Sequence, residues 1–589
     1  MVNMSTDPTF LLLLLGLLVI MSNYGHFSSA LRMPPIVVDV KKRQADAEIN
    51  CSECKGPVYS LGLNTYQVPM ALHELNRARL VQSMLEKLDS SSSSSSSSSR
   101  GVILLEGGKQ TTRYDTDHEP VFRQESFFHW TFGVPEADVY GTISLPSGES
   151  TLFVPIYGLD YEIFCGSSPS LDNIRSKYGV DNVLPIDQLD DYIASQLDGS
   201  VDGINEDDDN GNVNDAQLHL LSGLNTDSGN YCMAAHYDGI EKYSKRRNTD
   251  TLFPTIVEAR VFKTKPEIEL MRYTNWVSSM AHVEVMKCCQ VKMMEYQLES
   301  LFQHYTYTHG GCRHQSYTCV CACGPSPSIL HYGHAGRPND RQLLDGDIAL
   351  LDMGAEYHCY ASDITCSFPV NGKFSDDQLL IYNAVLSAQI AVITTLKPGI
   401  SYLDMHRLAE RAILKSLKNG GLLLGEVDDM IDADLGAIFM PHGLGHLIGL
   451  DAHDVGGYTE TITRPRSERP GLKKLRTART LEAGMVLTIE PGCYFIDVLL
   501  DLALANPKQS KHLCVERVNE FRGSGGVRLE DDVVITDDGC ENLTVCPRAS
   551  SEVLDVMNGK PWPPEKDVLP ELRRNWVNND NGKMVRYDL

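Results

Sequence analysis

Five residues in the second half of this chain, Asp352, Asp363, His446, Glu490 and Glu530, each sit in or beside a short apolar run of strand-like composition. The runs read IALLDMG, SDITCSF, MPHGLGH, MVLTIEPG and GVRLEDDVVI. A carboxylate drawn into such a run needs a partner, because burying it unpaired costs several kcal/mol or drives it to its neutral form. Four of them converging in one core call for cations, and four negative charges balance two divalent ions better than one. Oxygen-rich ligation with a single imidazole suits Mn²⁺, Co²⁺ or Mg²⁺ better than a thiolate-rich zinc site.

Taken singly, each residue has a plainer explanation. Asp352 and Asp363 flank Gly354-Ala355-Glu356 as two strands of a hairpin-like unit, where aspartates also serve as strand-end caps. Glu490-Pro491-Gly492 can be a strand terminus, and His446 a hydrogen-bonded core histidine. Their co-occurrence is harder to dismiss. The stretches LHYGHAGRPNDRQLLDGDIALLDMGAEYHCYASDITCSFP, FMPHGLGHLIGLDAHDVGGY, LRTARTLEAGMVLTIEPGCYF and GGVRLEDDVVIT resemble the pita-bread metallopeptidases. Within these they are similar to the prolidase branch, dipeptidases that cleave before a C-terminal proline. The likeness runs from Tyr59 to Cys546, and the HGLGH and LRTAR segments favour this branch over methionine aminopeptidase or creatinase relatives.

The resemblance implies an α+β chain with a pita-bread catalytic domain, an antiparallel sheet covered by helices, preceded by a smaller mixed α/β domain. It implies two divalent metal ions, manganese foremost. Asp352 is the ligand of one, His446 and Glu490 are ligands of the other, and Asp363 and Glu530 bridge them. A water between the metals is the expected nucleophile. Glu490 is expected to shuttle a proton to the leaving imino nitrogen, and His453 to stabilise the oxyanion. His331 and Arg476 correspond to the groups that hold the proline carboxylate, with Arg528 orienting the site. Tyr317 and Trp130 correspond to lesser pocket positions, Trp130 reaching across a homodimer. The expected substrates are Xaa-Pro dipeptides. The alternatives are aminopeptidase P-like removal of an N-terminal residue from longer peptides, and a catalytically inactive binding protein on the same fold.

The chain has 589 residues, enough for two domains. A net charge of −26 without a Lys/Arg-rich block argues against nucleic-acid partners or stable association with an anionic membrane. Residues 1–57 read as a leader. Phe10 to Met21 is apolar and Ser28-Ser29-Ala30 offers small residues for cleavage, but the segment carries Asp7 and no Lys or Arg before that core. The family resemblance favours the cytoplasm, with secretion as the alternative, in which case the Asn542-Leu543-Thr544 sequon becomes a glycan acceptor.

Residues 58–257 read as the α/β domain, 258–550 as the catalytic domain and 551–589 as a tail. TTRYDTDHEPVFRQESFFHWTFGV carries the strand, turn and aromatic signals of a packed sheet. Ser90 to Ser99 is a polar tract that cannot bury apolar surface. VDGINEDDDNGNVNDA superficially suggests a calcium loop. With Gly211 at the turn, however, Glu206 stands first and Gln217 last, so the leading Asp and closing Glu are both missing. Cys51 and Cys54 have no second pair to complete a zinc site, and Cys319, Cys321 and Cys323 alternate along one strand; free thiols are expected throughout. Thr264 with Glu267, and Ser375 with Gln378, are capping-box patterns that predict two helices. The second carries Leu379, Tyr382, Leu386, Ile390 and Ile393 and stops before Pro398-Gly399.

Overall fold

The computed structural model describes residues 56–91, 101–198, 216–459 and 465–575, together with the short strands 577–578 and 584–585. The leader, most of the poly-Ser tract and the acidic insertion lie outside the described residues.

The first half is a six-stranded mixed sheet with helices on both faces. Its elements are α1 (Ala71–Ser91), β1 (Gly101–Glu106), α2 (Ser126–Phe132), β2 (Tyr140–Leu145), β3 (Ser150–Val154), β4 (Asn182–Pro185), α3 (Leu189–Asp198), β5 (Gln217–Leu220), β6 (Arg247–Asn248) and α4 (Leu252–Val261). The strand order is β6-β5-β1-β2-β3-β4, antiparallel at β1–β2 and β2–β3 and parallel elsewhere. Strand period decides the burial. Ile103 and Leu105 enter the main core with Leu80 and Met84 of α1, whereas Val102 and Leu104 join a second core with Leu189, Ile193 and Leu197 of α3. A strand covered on both faces reads as a continuous apolar run, here GVILLE.

The aromatic stretch before β2 is not sheet, contrary to its sequence signals: SFFHWTF is helix α2 with every residue buried. The Glu125 side chain accepts from the Phe128 N–H and Gly133 closes the helix at φ 67°, so local capping overrides aromatic strand preference.

The second half is antiparallel strands covered by helices. It runs α5 (Lys265–Cys288), α6 (Glu295–Gly310), β7 (Val320–Cys323), β8 (Ile348–Asp352), β9 (Ala355–Tyr357), β10 (Tyr360–Ala361), β11 (Thr365–Pro369), α7 (Asp376–Thr395), α8 (Tyr402–Asn419), β12 (Val486–Ile489), β13 (Gly492–Tyr494), β14 (Gly526–Arg528), β15 (Asp531–Ile535) and β16 (Cys540–Asn542). Strands pair as β7-β8-β11, β9-β10, β12-β15-β16 and β13-β14, all antiparallel. Both capping boxes form: the Thr264 N–H donates to Glu267 at 2.7 Å, and the Gln378 N–H to the Ser375 hydroxyl at 3.2 Å. Helix α7 is long and apolar enough to cross a membrane, but Ile381, Val385, Ala388 and Val392 bury its inner face in the core. Every cysteine among the described residues is free.

Glu267 ties the halves together. Its carboxylate accepts from the Trp130 indole at 3.0 Å and the Tyr360 hydroxyl at 2.9 Å. Trp130 is wholly buried by these contacts, which corrects its expected place in the substrate pocket of a neighbouring subunit. A ring packed in its own core, with its one donor engaged, cannot extend across an interface.

Candidate metal centre

Strand β8 ends on Asp352, and its register partner Thr365 opens β11 two residues after Asp363. Between them the chain makes the β9–β10 hairpin. Gly354 permits the close return: a Cβ there would lie 1.9 Å from the Ser362 carbonyl oxygen. Glu490 follows β12, and Glu530 lies between β14 and β15. His446 is fastened to β12 by its N–H to the Thr488 hydroxyl (3.1 Å) and by the Thr488 N–H to its own carbonyl (2.9 Å). Five acid and imidazole groups from distant sequence positions thereby meet.

His446 Nε2 lies 3.4 Å from Asp363 Oδ2 and 3.7 Å from Glu490 Oε1. Asp363, His446 and Glu530 each present an atom within 4.8 Å of the others. His446 Nδ1 faces the Leu447 carbonyl at 3.1 Å, a contact that places its proton there and leaves Nε2 as the ligand nitrogen. Thr365 donates to Glu530 at 2.6 Å, and the Asp363 N–H donates to buried Asp532 at 2.9 Å.

Negative charge exceeds what the chain supplies to balance it. Arg528 and His446 face four carboxylates. Burial, with the other acids adding to it, pushes Glu530 well above the usual carboxylate range, lifts Glu490 to about 7 and raises Asp352. Burial works against charging His446, yet its bond to Asp363 and the charges of Asp363 and Glu490 lift it to about 9. The same bond holds Asp363 below its ordinary value despite burial. Asp352 Oδ1 is buried without a hydrogen-bond partner. Hard divalent cations fit this donor set, since they would neutralise the acids and satisfy the orphaned oxygen.

The remaining expected residues divide into three groups. Arg528 is spent inside the cluster: Nη2 donates to Asp352 at 2.6 Å, Nη1 to the Tyr494 hydroxyl at 2.7 Å and Nε to Thr365 at 3.0 Å. These three bonds tie it to Asp352, Thr365 and Tyr494. Tyr317 has its hydroxyl buried beside Asp352 and Asp363. At the open side, the His453 ring stands edge-on to His446 at 4.5 Å, and His331 and Arg476 lie close enough for their charges to act on it. Of the two arginines of LRTAR, Arg479 is buried in a two-pronged pair with Glu258 (3.1 and 2.6 Å), whereas Arg476 is part-exposed.

The structure adds groups that the sequence reading passed over. His442 Nδ1 lies 3.7 Å from Glu490 Oε2, and its Nε2 is 3.1 Å from the Tyr494 hydroxyl. The spacing in HGLGH, four residues from His442 to His446, was the available signal. Asp227, from a loop of the first half, reaches within 3.8 Å of Arg476; nothing local in NTDSG announces that.

Residues 269–537 match metallopeptidase family M24, and residues 73–203 match the aminopeptidase P N-terminal domain. The Xaa-Pro dipeptidase of Rattus norvegicus is 51% identical over 503 residues, covering 85% of this chain and 96% of that protein. The chain belongs to metallopeptidase family M24. The Xaa-Pro dipeptidase of Homo sapiens is 50% identical over 504 residues, 86% of this M24 chain and 97% of that protein. Among solved structures, Pseudomonas aeruginosa aminopeptidase PepP superimposes with a TM-score of 0.64 at 29% identity, covering 84% of this chain and 99% of that one. The pita-bread fold with its N-terminal domain is therefore established for this M24 member.

Proposed function

We propose that this chain is a dinuclear-metal dipeptidase that hydrolyses Xaa-Pro dipeptides bearing a C-terminal proline. The observation that carries the reading is the part-exposed guanidinium of Arg476 at the mouth of an acid cluster built for divalent cations. A guanidinium there grips a free carboxylate through two parallel hydrogen bonds, and a longer peptide would place an uncharged amide and another residue in that space. The half-identity to Xaa-Pro dipeptidases, against 29% to the aminopeptidase P structure, supports the same choice.

Asp352, Asp363, His446, Glu490 and Glu530 would hold two divalent ions, manganese foremost. Such ions acidify bound water and polarise the scissile carbonyl. Around them, Glu490 moves a proton to the leaving imino nitrogen, which must be protonated to depart as a secondary amine. His453, edge-on to His446, faces the developing oxyanion. His331 and Arg476 hold the proline carboxylate, Tyr317 walls the pocket beside Asp352, and Arg528 fixes Asp352 in its bearing.

The test compares Gly-Pro with Gly-Pro-Ala, with and without added Mn²⁺. Hydrolysis of Gly-Pro alone, dependent on metal, is expected. Preference for Gly-Pro-Ala would make the protein an aminopeptidase P-like enzyme, and no turnover of either a binding protein.

A homodimer and a cytosolic location complete the proposal. The location is supported by Asn542, whose side chain is buried and donates to Asp531 at 2.7 Å, leaving the sequon no room for a glycan. N-terminal sequencing of the endogenous protein tests it, a start near Leu31 with a glycan on Asn542 being the contrary result. Light scattering tests the dimer, and a monomer mass would dismiss it.

A further inference from the structure

A second cluster of ligand-type side chains lies away from the acid centre. His73 on α1, His129 on α2 and His358 in the β9–β10 turn each present a ring nitrogen within 4.8 Å of the others. They are 0%, 0% and 7% exposed. His73 Nε2 and His358 Nε2 stand 3.0 Å apart, sharing a hydrogen bond that a bound ion would replace. Nitrogens bound at about 2.0–2.1 Å around a tetrahedral ion lie roughly 3.3 Å from one another, so the pair is within a few tenths of an ångström of that spacing.

Three observations point to a ligand. His129 has neither ring nitrogen hydrogen-bonded, although it is fully buried; such orphaned groups cost about 1–3 kcal/mol each and are rare. His73 Nδ1 faces the Trp130 carbonyl at 3.1 Å, a contact that fixes the proton on Nδ1 and turns the Nε2 lone pair toward the other two rings. His358 and Cys359, at φ 48° and 60°, are the two central residues of the β9–β10 turn, and that turn sets the His358 ring beside the other two.

We infer that His73, His129 and His358 form a second, buried metal site, taking one zinc-class divalent ion through three neutral imidazoles. Burial pushes all three rings down, His73 to about 3, which favours the neutral imidazole that a metal binds. Arg123, whose charge acts on His129, is already paired with Glu356 at 3.2 Å. Imidazoles without carboxylates suit zinc, copper or nickel, in contrast to the oxygen-rich centre. The ion would staple two helices of the first half to the hairpin that leads from Asp352 to Asp363, a structural role outside the peptidase reaction.

The test uses the full-length protein stripped with chelator and equilibrated with Co²⁺ or Zn²⁺. Wild type should give the intense visible bands of tetrahedral cobalt and retain one more zinc per chain than His358→Asn, a replacement that tolerates the left-handed turn. Zinc should raise the melting temperature of wild type by more than that of the variant, which keeps the acid cluster and so retains part of the effect, while manganese-dependent Gly-Pro hydrolysis stays unchanged. Should His358→Asn fail to fold, Asp363→Ala serves instead and should still hold one zinc. Equal zinc contents in wild type and His358→Asn, no tetrahedral cobalt bands in wild type, or no zinc in Asp363→Ala would each overturn the assignment.

Discussion

Asp454 and the four acids around His446 are all drawn into the catalytic half, yet their charges are met differently. Asp454 is wholly buried between Arg260 (2.6 Å) and Lys263 (2.9 Å), and against the effect of burial those cations hold it below the ordinary carboxylate range. The cluster of Asp352, Asp363, Glu490 and Glu530 has one arginine and one histidine, and burial with mutual repulsion raises three of its members. The first arrangement is complete within the chain. The second is complete only with added cations, which marks it as a site rather than a strut.

Removing one acid from each cluster, in protein kept free of metal by chelator, should have opposite effects. Asp454→Asn takes the carboxylate from buried Lys263 and leaves buried Arg260 with Asp451 alone, and should destabilise by about 3–5 kcal/mol. Glu530→Gln relieves repulsion and should leave stability equal or higher. Urea unfolding of both variants checks the comparison; parallel losses would erase it.

The next largest effect separates Arg476 from buried Arg479. Arg476→Ala should lower kcat/KM on Gly-Pro by roughly 30- to 1000-fold, about 2–4 kcal/mol, with folding intact. Steady-state kinetics on Gly-Pro and on Gly-Pro-amide test it: wild type should prefer the free acid and the variant should lose that preference. An undiminished preference would move the role to His331.

His219 illustrates a third way of burying an ionisable group, by keeping it neutral. It lies in β5 with both ring nitrogens unpaired, and burial pushes it down to about 4. The unfolded chain takes up this proton below about pH 6.5 and the folded chain only near 4, so stability is full above 6.5 and falls as pH drops between those values. The expected loss is up to about 3 kcal/mol, and His219→Gln should flatten that slope in pH-dependent melts.

The candidate metal-binding acids and the helix starts were legible because each has a local signature: an acid inside an apolar run, or Thr264 with Glu267 and Ser375 with Gln378 at capping distance. The pita-bread topology came through resemblance, since helical and strand periods name elements without pairing them. Trp130 misled because an aromatic quoted beside a pocket motif reads the same whether it faces substrate or Glu267. The detailed work of Arg528 was invisible for a similar reason, its partners Asp352, Thr365 and Tyr494 being scattered along the chain. Asp227 shows the limit most plainly, as only the packing of one half on the other brings it to Arg476.

The central claim is that the acid cluster exists to hold two divalent ions for catalysis. Elemental analysis of manganese-loaded, gel-filtered wild type and Asp363→Ala, run alongside Gly-Pro turnover, addresses it most directly. Wild type should carry two manganese ions per chain, and Asp363→Ala should lose both, together with turnover, because a shared ligand is gone. Two tightly held manganese ions and normal turnover in Asp363→Ala would contradict the account.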